Sequence, residues 1–219
     1  MTQRVEIKND ALWIDGRPKL HLADEYRIYE SLVIPAWCSR PVKATALVIR
    51  GGDGCAAREL LALPGVEEIA ILEPDEALVG VATSHPDLIE VNRGSVRNPK
   101  VQVMIGAVHE IEYDLVYLDD DRPANYAFAA RHVKHEGALV ARMPLRPLAG
   151  FVALRDALQN LFRYVNAYKC WTASLGWTGF VLCGRMPVMR FFNAPPSSTR
   201  YLDDVTMKTQ FHFAKDERV

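Results

Sequence analysis

The feature that most limits how this chain can fold is an alternation, between residues 44 and 141, of short apolar runs with amphipathic stretches. Ala44–Ile49, Glu67–Leu72, Val101–Ile105, Leu115–Leu118 and Gly137–Ala141 read as strands, while Cys55–Leu63, Asp75–Ala82 and Pro123–Val133 carry helical spacing between them. Strands apolar throughout need cover on both faces, and a parallel crossover needs a helix to make the return. The pattern predicts an α/β domain built on a doubly wound parallel sheet with helices on both faces.

Around that centre the signals are more local. Val5–Lys8 and Leu12–Ile14 flank Asn9-Asp10 as a β-hairpin, and Asp15-Gly16 marks a second turn. Asp24-Glu25 opens a helix through Tyr26, Tyr29, Leu32 and Val33, which Pro35 is expected to stop. Phe151, Leu154, Leu158, Leu161 and Phe162 mark a later helix, and Arg163–Lys169 and Trp177–Cys183 an antiparallel edge. The stretch Pro195–Ser198 reads as a loop, and Tyr201–Phe213 as a closing helix or tail. The expected division is a small N-terminal β-hairpin remnant over residues 1–22 and a nucleoside-binding catalytic domain over 23–219.

With 219 residues, one core should dominate, and 49% apolar with 24% charged residues is an ordinary globular balance. A net charge of -1 gives no footprint for nucleic acid or an anionic membrane, so the expected partner is a small molecule. No segment reads as a signal peptide or membrane span, so the expected setting is the cytoplasm. Cys38, Cys55, Cys170 and Cys183 form no CxxC pair, and the histidines lack metal-ligand company. His132 and His135, three residues apart, are expected on a solvated helix surface, and no metal site is expected.

The candidate chemistry lies where strands end. Gly51, Gly52 and Gly54 follow the first strand of the sheet, where a glycine-rich turn lets the backbone approach a ligand closely. About twenty residues on, Glu73 ends the next strand, where a carboxylate can accept hydrogen bonds from ribose hydroxyls; beside Pro74 and Asp75 it also fits a helix N-terminal acid. Asp119 ends a third strand over the same crevice, and a carboxylate there suits a cationic amine. Asp120 and Asp121 also fit a solvated or capping role before a helix starting at Pro123.

These residues, in order, resemble the spermidine synthase family of aminopropyltransferases over most of the chain. The resemblance is carried by Leu12-Trp13-Ile14-Asp15-Gly16, by Asp24-Glu25-Tyr26 with Glu30, and by Gly51-Gly52-Asp53-Gly54 with Ala57-Arg58-Glu59. Glu73 with Asp75, Asn98-Pro99-Lys100-Val101, Tyr113-Asp114-Leu115-Val116 with Asp119, and Gly176-Trp177-Thr178-Gly179-Phe180 extend it. It implies a Rossmann-like, methyltransferase-type core that transfers an aminopropyl group from decarboxylated S-adenosylmethionine to an amine and releases methylthioadenosine. No cofactor is tightly bound in such a family; the sulfonium compound, decarboxylated or not, is a co-substrate. Gly51, Gly52, Asp53, Gly54 and Glu73 would hold the nucleoside, Asp53 also binding the aminopropyl ammonium, and Asp119 would receive the attacking amine. Asp120 and Arg122 are the further candidates for substrate contact, and the acceptor is an amine or amino acid.

The chain departs from that family at several working positions. Lys19 replaces a glutamine, Arg50 the first glycine of the turn, Ala107 an aspartate, Arg122 the last aspartate of an acidic run, and Ala173 a tyrosine; the segment between Asp119 and Gly137 is also shorter. The added positive charge is expected to disfavour putrescine and to favour a carboxylate on acceptor or nucleoside, gripped by Arg122 or Arg50. Two other functions fit the same core: an S-adenosylmethionine-dependent methyltransferase, against which Asp53 argues, and a non-catalytic nucleoside-binding homologue. A homodimer would use the sheet edge or Trp171 and Trp177.

Overall fold

A computed structural model describes residues 4–106, 110–120 and 122–214. Ala107, His109 and Asp121, which figure in the sequence reading, lie outside the described residues. The chain opens with β1 (Val5–Lys8), β2 (Ala11–Ile14) and β3 (Arg17–His21), an antiparallel three-stranded sheet. Asn9 and Asp10 take left-handed φ values of 51° and 55°, as a two-residue hairpin turn requires, and Asp15-Gly16 makes the next turn. The expected hairpin is thus joined by a third strand, which carries Lys19.

Helix α1 (Glu25–Cys38) does not stop at Pro35 but runs three residues beyond it. Proline cannot donate to the carbonyl four residues back, and here the Tyr168 hydroxyl donates to that Ser31 carbonyl at 2.7 Å. With the orphaned acceptor satisfied, the helix continues on its buried apolar residues.

Next come β4 (Thr45–Ile49), α2 (Cys55–Leu61), β5 (Glu68–Glu73), α3 (Glu76–Ser84), α4 (Pro86–Asn92), a 3-10 turn at Ser95–Arg97, β6 (Val101–Ile105), β7 (Tyr113–Leu118), α5 (Ala124–Arg131) and β8 (Val133–Pro144). The chain closes with α6 (Leu148–Gln159), β9 (Tyr164–Thr172), β10 (Gly176–Gly184) and α7 (Asp204–Thr209). The large sheet has the order β6-β5-β4-β7-β8-β10-β9, with β6 to β8 parallel and the last two strands antiparallel. This is the expected α/β architecture with its antiparallel edge.

The apolar runs serve both faces. Ala46 and Val48 of β4 pack with Leu115 and Tyr117 of β7 into the core under α1 and α2. Leu47 and Ile49 pack with Val116 and Leu118 into the opposite core, under α5 and α6. His132 and His135 do not share a helix face: His132 ends α5, buried against Phe128, whose carbonyl lies 2.8 Å from Nδ1, and His135 belongs to β8. Among the described residues, no helix is long and apolar enough to cross a membrane.

Strand order sets where a ligand can sit. The chain builds outward from β4 to β5 and β6, then returns to the other side of β4 with β7. Open α/β sheets form their crevice at such a reversal, beyond the carboxyl ends of the strands.

Candidate active site

Register aligns the charged residues of that crevice. Ile49 of β4 pairs with Leu72 of β5 and Leu118 of β7, and Leu118 pairs with Ala141 of β8. One residue beyond this apolar row stand Arg50, Glu73, Asp119 and Arg142. Parallel pairing therefore brings together four ionisable side chains from distant parts of the sequence. Arg50 N–H donates to the Leu72 carbonyl at 2.8 Å and Asp119 N–H to the Ile49 carbonyl at 3.1 Å, which fixes the row.

The glycine turn follows directly. Arg50 has φ 64° and Gly54 φ 82°. Gly52 is required by close approach: a Cβ there would stand 2.8 Å from Glu73 Cγ and 2.9 Å from Oε2. Without it, Gly52 N–H reaches Glu73 Oε2 at 3.1 Å, while Glu73 Oε1 accepts from Asp75 N–H at 3.3 Å. Burial raises the Glu73 pKa above the ordinary carboxylate value, although Lys19, Arg50 and the two N–H groups pull it down. Asp75 itself caps α3, accepting from Ala77 N–H at 2.9 Å.

Asp53 is wholly buried and internally satisfied. Its Oδ1 accepts from Cys55 N–H at 2.8 Å, and Oδ2 from the Tyr29 hydroxyl of α1 at 3.0 Å. The Lys19 ammonium lies 3.3 Å from the same Oδ2 and donates to Asp119 Oδ2 at 2.7 Å, so one protein amine bridges the two acids. Asp119 Oδ1 accepts from Arg142 Nη1 at 2.8 Å, and Arg142 Nη2 reaches back to the Lys19 carbonyl at 2.9 Å. Burial alone would raise the Asp119 pKa; Arg142 and Lys19, with the hydrogen bonds of Lys19 and Tyr29, hold it below the ordinary range. Burial likewise opposes the Lys19 charge, but Asp119 and Asp53 outweigh it and keep the side chain an ammonium.

Asp120 gathers a second set. Arg122 Nε bonds both of its oxygens, at 3.2 and 3.1 Å, Arg50 Nε lies 3.4 Å away, and Asn125 Nδ2 donates to it as well. Asp120 Oδ1 also accepts from Arg122 N–H at 3.2 Å, so it organises the turn into α5, but its side chain is buried rather than solvated. Pro123 caps α5 instead of opening it. Arg122 is half exposed.

Two clefts meet at these arginines. The smaller, ≈ 350 Å³, is mainly apolar and is lined by Ile49, Leu72, Pro74 and Phe128. The larger, ≈ 780 Å³, reaches from Asp119 and Arg142 to Arg17, Met143 and Trp177. Arg50 and Arg122 line both. A third cavity of ≈ 410 Å³, around Glu25, Arg58 and Arg200, shares no lining residue with either.

The spermine/spermidine synthase domain matches residues 26–135, a span holding the glycine turn, Glu73 and the acidic end of β7. The chain belongs to the spermine/spermidine synthase family. Among relatives, the polyamine aminopropyltransferase of Oceanobacillus iheyensis is 28% identical over 96% of this chain and 45% of its own length. That of Mycobacterium tuberculosis is 33% identical over 94% of this chain and 43% of its own. The chain thus spans under half the length of these curated relatives. The spermidine synthase of Thermotoga maritima has the same fold, with a TM-score of 0.86 at 19% identity, covering 97% of this chain and 82% of that one. A spermidine synthase in complex with the transition state analogue AdoDATO gives 0.86 at 18% identity, covering 97% and 81%.

The sequence reading of this family member singled out Asp53, Glu73, Asp119, Asp120 and Arg122; Asp119, Asp120 and Arg122 line the larger cleft, whereas Asp53 and Glu73 are buried behind it and line neither cleft. It missed Arg142 and the polar role of Tyr29. Arg142 carried a usable signal: it stands one residue past the last apolar position of its strand, as Arg50, Glu73 and Asp119 do. Lys19 was recognised as a departure, but its bridge to Asp53 and Asp119, 34 and 100 residues away, is a tertiary fact.

Proposed function

We propose that the chain is an aminopropyltransferase that moves an aminopropyl group from decarboxylated S-adenosylmethionine to an amine, releasing methylthioadenosine. The observation that carries this reading is the pairing of Gly52 N–H with Glu73 at the edge of an apolar cleft, within a domain of this family. The base lies in the smaller cleft and Glu73 accepts from the ribose hydroxyls. Asp53 faces the aminopropyl ammonium and Asp119 the acceptor. The amine lone pair forms a bond to the carbon beside the sulfonium as the carbon–sulfur bond breaks; sulfur keeps the electron pair and the amine loses a proton. The reading includes a cytoplasmic setting, which four buried free cysteines suit, and a homodimer through half-exposed Trp171 and Trp177, paired across β9 and β10.

The Lys19 bridge supports a second reading, a nucleoside-binding homologue without turnover, because an incoming amine reaches Asp119 only by displacing Lys19. One assay separates the readings: purified protein is incubated with either sulfonium donor and a panel of amines, and the nucleoside product is identified by chromatography. Methylthioadenosine supports aminopropyl transfer, S-adenosylhomocysteine a methyltransferase, and nucleoside binding without product the silent homologue.

A further inference from the structure

The Lys19 ammonium occupies the space between the two acids that the proposed function assigns to substrate ammonium groups, and Arg142 takes the remaining Asp119 oxygen. The acidic floor of the larger cleft is therefore neutralised from within. A second ammonium on a diamine would enter a cleft where Arg17, Lys19, Arg50, Arg122 and Arg142 outnumber Asp15, Asp119 and Asp120.

Of these, Arg17, Arg50 and Arg122 are under-compensated. Arg50 and Arg122 both turn Nε toward Asp120, two guanidinium charges on one carboxylate. Among the described residues, no protein acceptor bonds the Nη atoms of either, and no carboxylate lies within ion-pair distance of Arg17. Paired guanidinium forks with free Nη donors are suited to a planar, bidentate anion, which a diamine cannot supply.

We infer that the clefts take a ligand bearing a carboxylate, seated on the Nη groups of Arg50 and Arg122, with Lys19 supplying the cation between Asp53 and Asp119. The inference rests on the proposed function for the nucleoside's place in the smaller cleft. The carboxylate has two chemical sources: the amino-acid tail of undecarboxylated S-adenosylmethionine, or an amino-acid acceptor. Both reach the arginine pair, because it lines both clefts. Bond balance is unchanged, since the attacking nitrogen and the sulfur leaving group are the same and the carboxylate takes no part in the step.

Calorimetry on the whole chain tests this with methylthioadenosine alone and with two matched ligand pairs, the amine pair being titrated both with and without methylthioadenosine. S-adenosylmethionine is compared with its decarboxylated form, and γ-aminobutyrate with putrescine. The carboxylate-bearing member of at least one pair is expected to bind about tenfold tighter or more, as charge-assisted hydrogen bonds allow. The pair that shows the preference names the source. Arg122→Gln, at a half-exposed position that tolerates change, and Arg50→Gln as a second variant should each erase it. No preference in either pair, or a preference surviving both substitutions, overturns the inference. Methylthioadenosine binding without a carboxylate preference leaves the proposed function standing and sinks the inference; a preference without methylthioadenosine binding does the reverse.

Discussion

Replacing Lys19 with methionine is the most informative perturbation, because it removes one cation from two buried acids while keeping the side chain's apolar length. Lys19 Nζ stands 2.7 Å from Asp119 and 3.3 Å from Asp53, and also donates to the Arg50 carbonyl at 3.2 Å. At an effective dielectric of about 20, these distances correspond to gross attractions of roughly 6 and 5 kcal/mol. Most of that offsets the cost of burying the three charges, but removing one partner leaves the others buried and under-compensated, a loss of about 3–5 kcal/mol. Arg142 still holds Asp119 in the variant, and Tyr29 and Cys55 still donate to Asp53, so the expected loss is near the lower figure, about 3 kcal/mol. For a chain of this size that lowers Tm by roughly 6–12 °C. The pH dependence has a definite sign. Asp119 has a lowered pKa when folded, so its stabilisation is present above the unfolded value and is lost as pH falls through the folded one. Losing Lys19 shrinks that lowering, so the gap between variant and wild type should be widest near neutral pH and close only below about pH 4, as pH falls through the lowered value of Asp119. Urea melts at both pH values measure it, with and without putrescine, which should rescue the variant more than the wild type. A gap below about 1 kcal/mol, or one unchanged by acid, would refute the bridge as a buried charge network.

Three further outcomes follow from the same geometry. Gly52→Ala places a methyl 2.8 Å from Glu73 Cγ, so Glu73 must move; methylthioadenosine binding should weaken about tenfold by calorimetry, with a stability loss of about 1–3 kcal/mol. An unchanged affinity would remove Glu73 from the nucleoside site. Tyr168→Phe keeps the ring stacked on Phe180 at 5.0 Å but leaves the Ser31 carbonyl opposite Pro35 without a donor, so denaturant melts should show a loss of about 1–3 kcal/mol. Because burial raises the Glu73 pKa, nucleoside affinity should fall as pH drops through a value above the ordinary carboxylate range, while Glu73→Gln gives weaker binding with a flatter profile. The stability sign is opposite to that of Asp119: a raised folded-state pKa makes this group favour folding more as pH falls.

The sheet was legible because its signal is local and strong. Each central strand packs both faces into cores, so Ala46–Ile49 of β4 and Leu115–Leu118 of β7 had to be apolar throughout, and the glycine turn and terminal acids followed from where those runs stop. Strand β8 was read only over Gly137–Ala141 because Lys134, His135 and Glu136 before it and Arg142 after it look like loop, although hydrogen-bonded pairing carries the strand from Val133 to Pro144. Helix α4 escaped notice because seven residues bury only Leu88 and Asn92. Pro35 misled for a related reason: the donor that repairs its gap, Tyr168, is 137 residues from the Ser31 carbonyl it serves. At the site, residue types at strand ends were readable, but their pairings were not. Arg142 and Lys19 meet Asp119 across 23 and 100 residues, and no periodicity encodes that.

The small N-terminal sheet is thereby more than an appendage to the core. Its third strand supplies Lys19, and Arg142 holds both that residue's carbonyl and the acid its ammonium bonds. The guanidinium fork ties β3 to β8 through backbone and side chain together, a bidentate geometry that a lysine at the same place cannot reproduce. Seating β3 and neutralising Asp119 are consequently one structural event. The same charges that fasten the small sheet neutralise Asp119 at the cleft, so under the proposed function a change at Lys19 or Arg142 should alter stability and acceptor preference together. The side chains of Arg50 and Arg122 stand outside this coupling, because Asp120 holds them and Lys19 reaches only the backbone carbonyl of Arg50. Substituting either side chain is therefore expected to leave the small sheet fastened, so that if the inferred carboxylate site is correct its ligand preference should change while the fold stays the same.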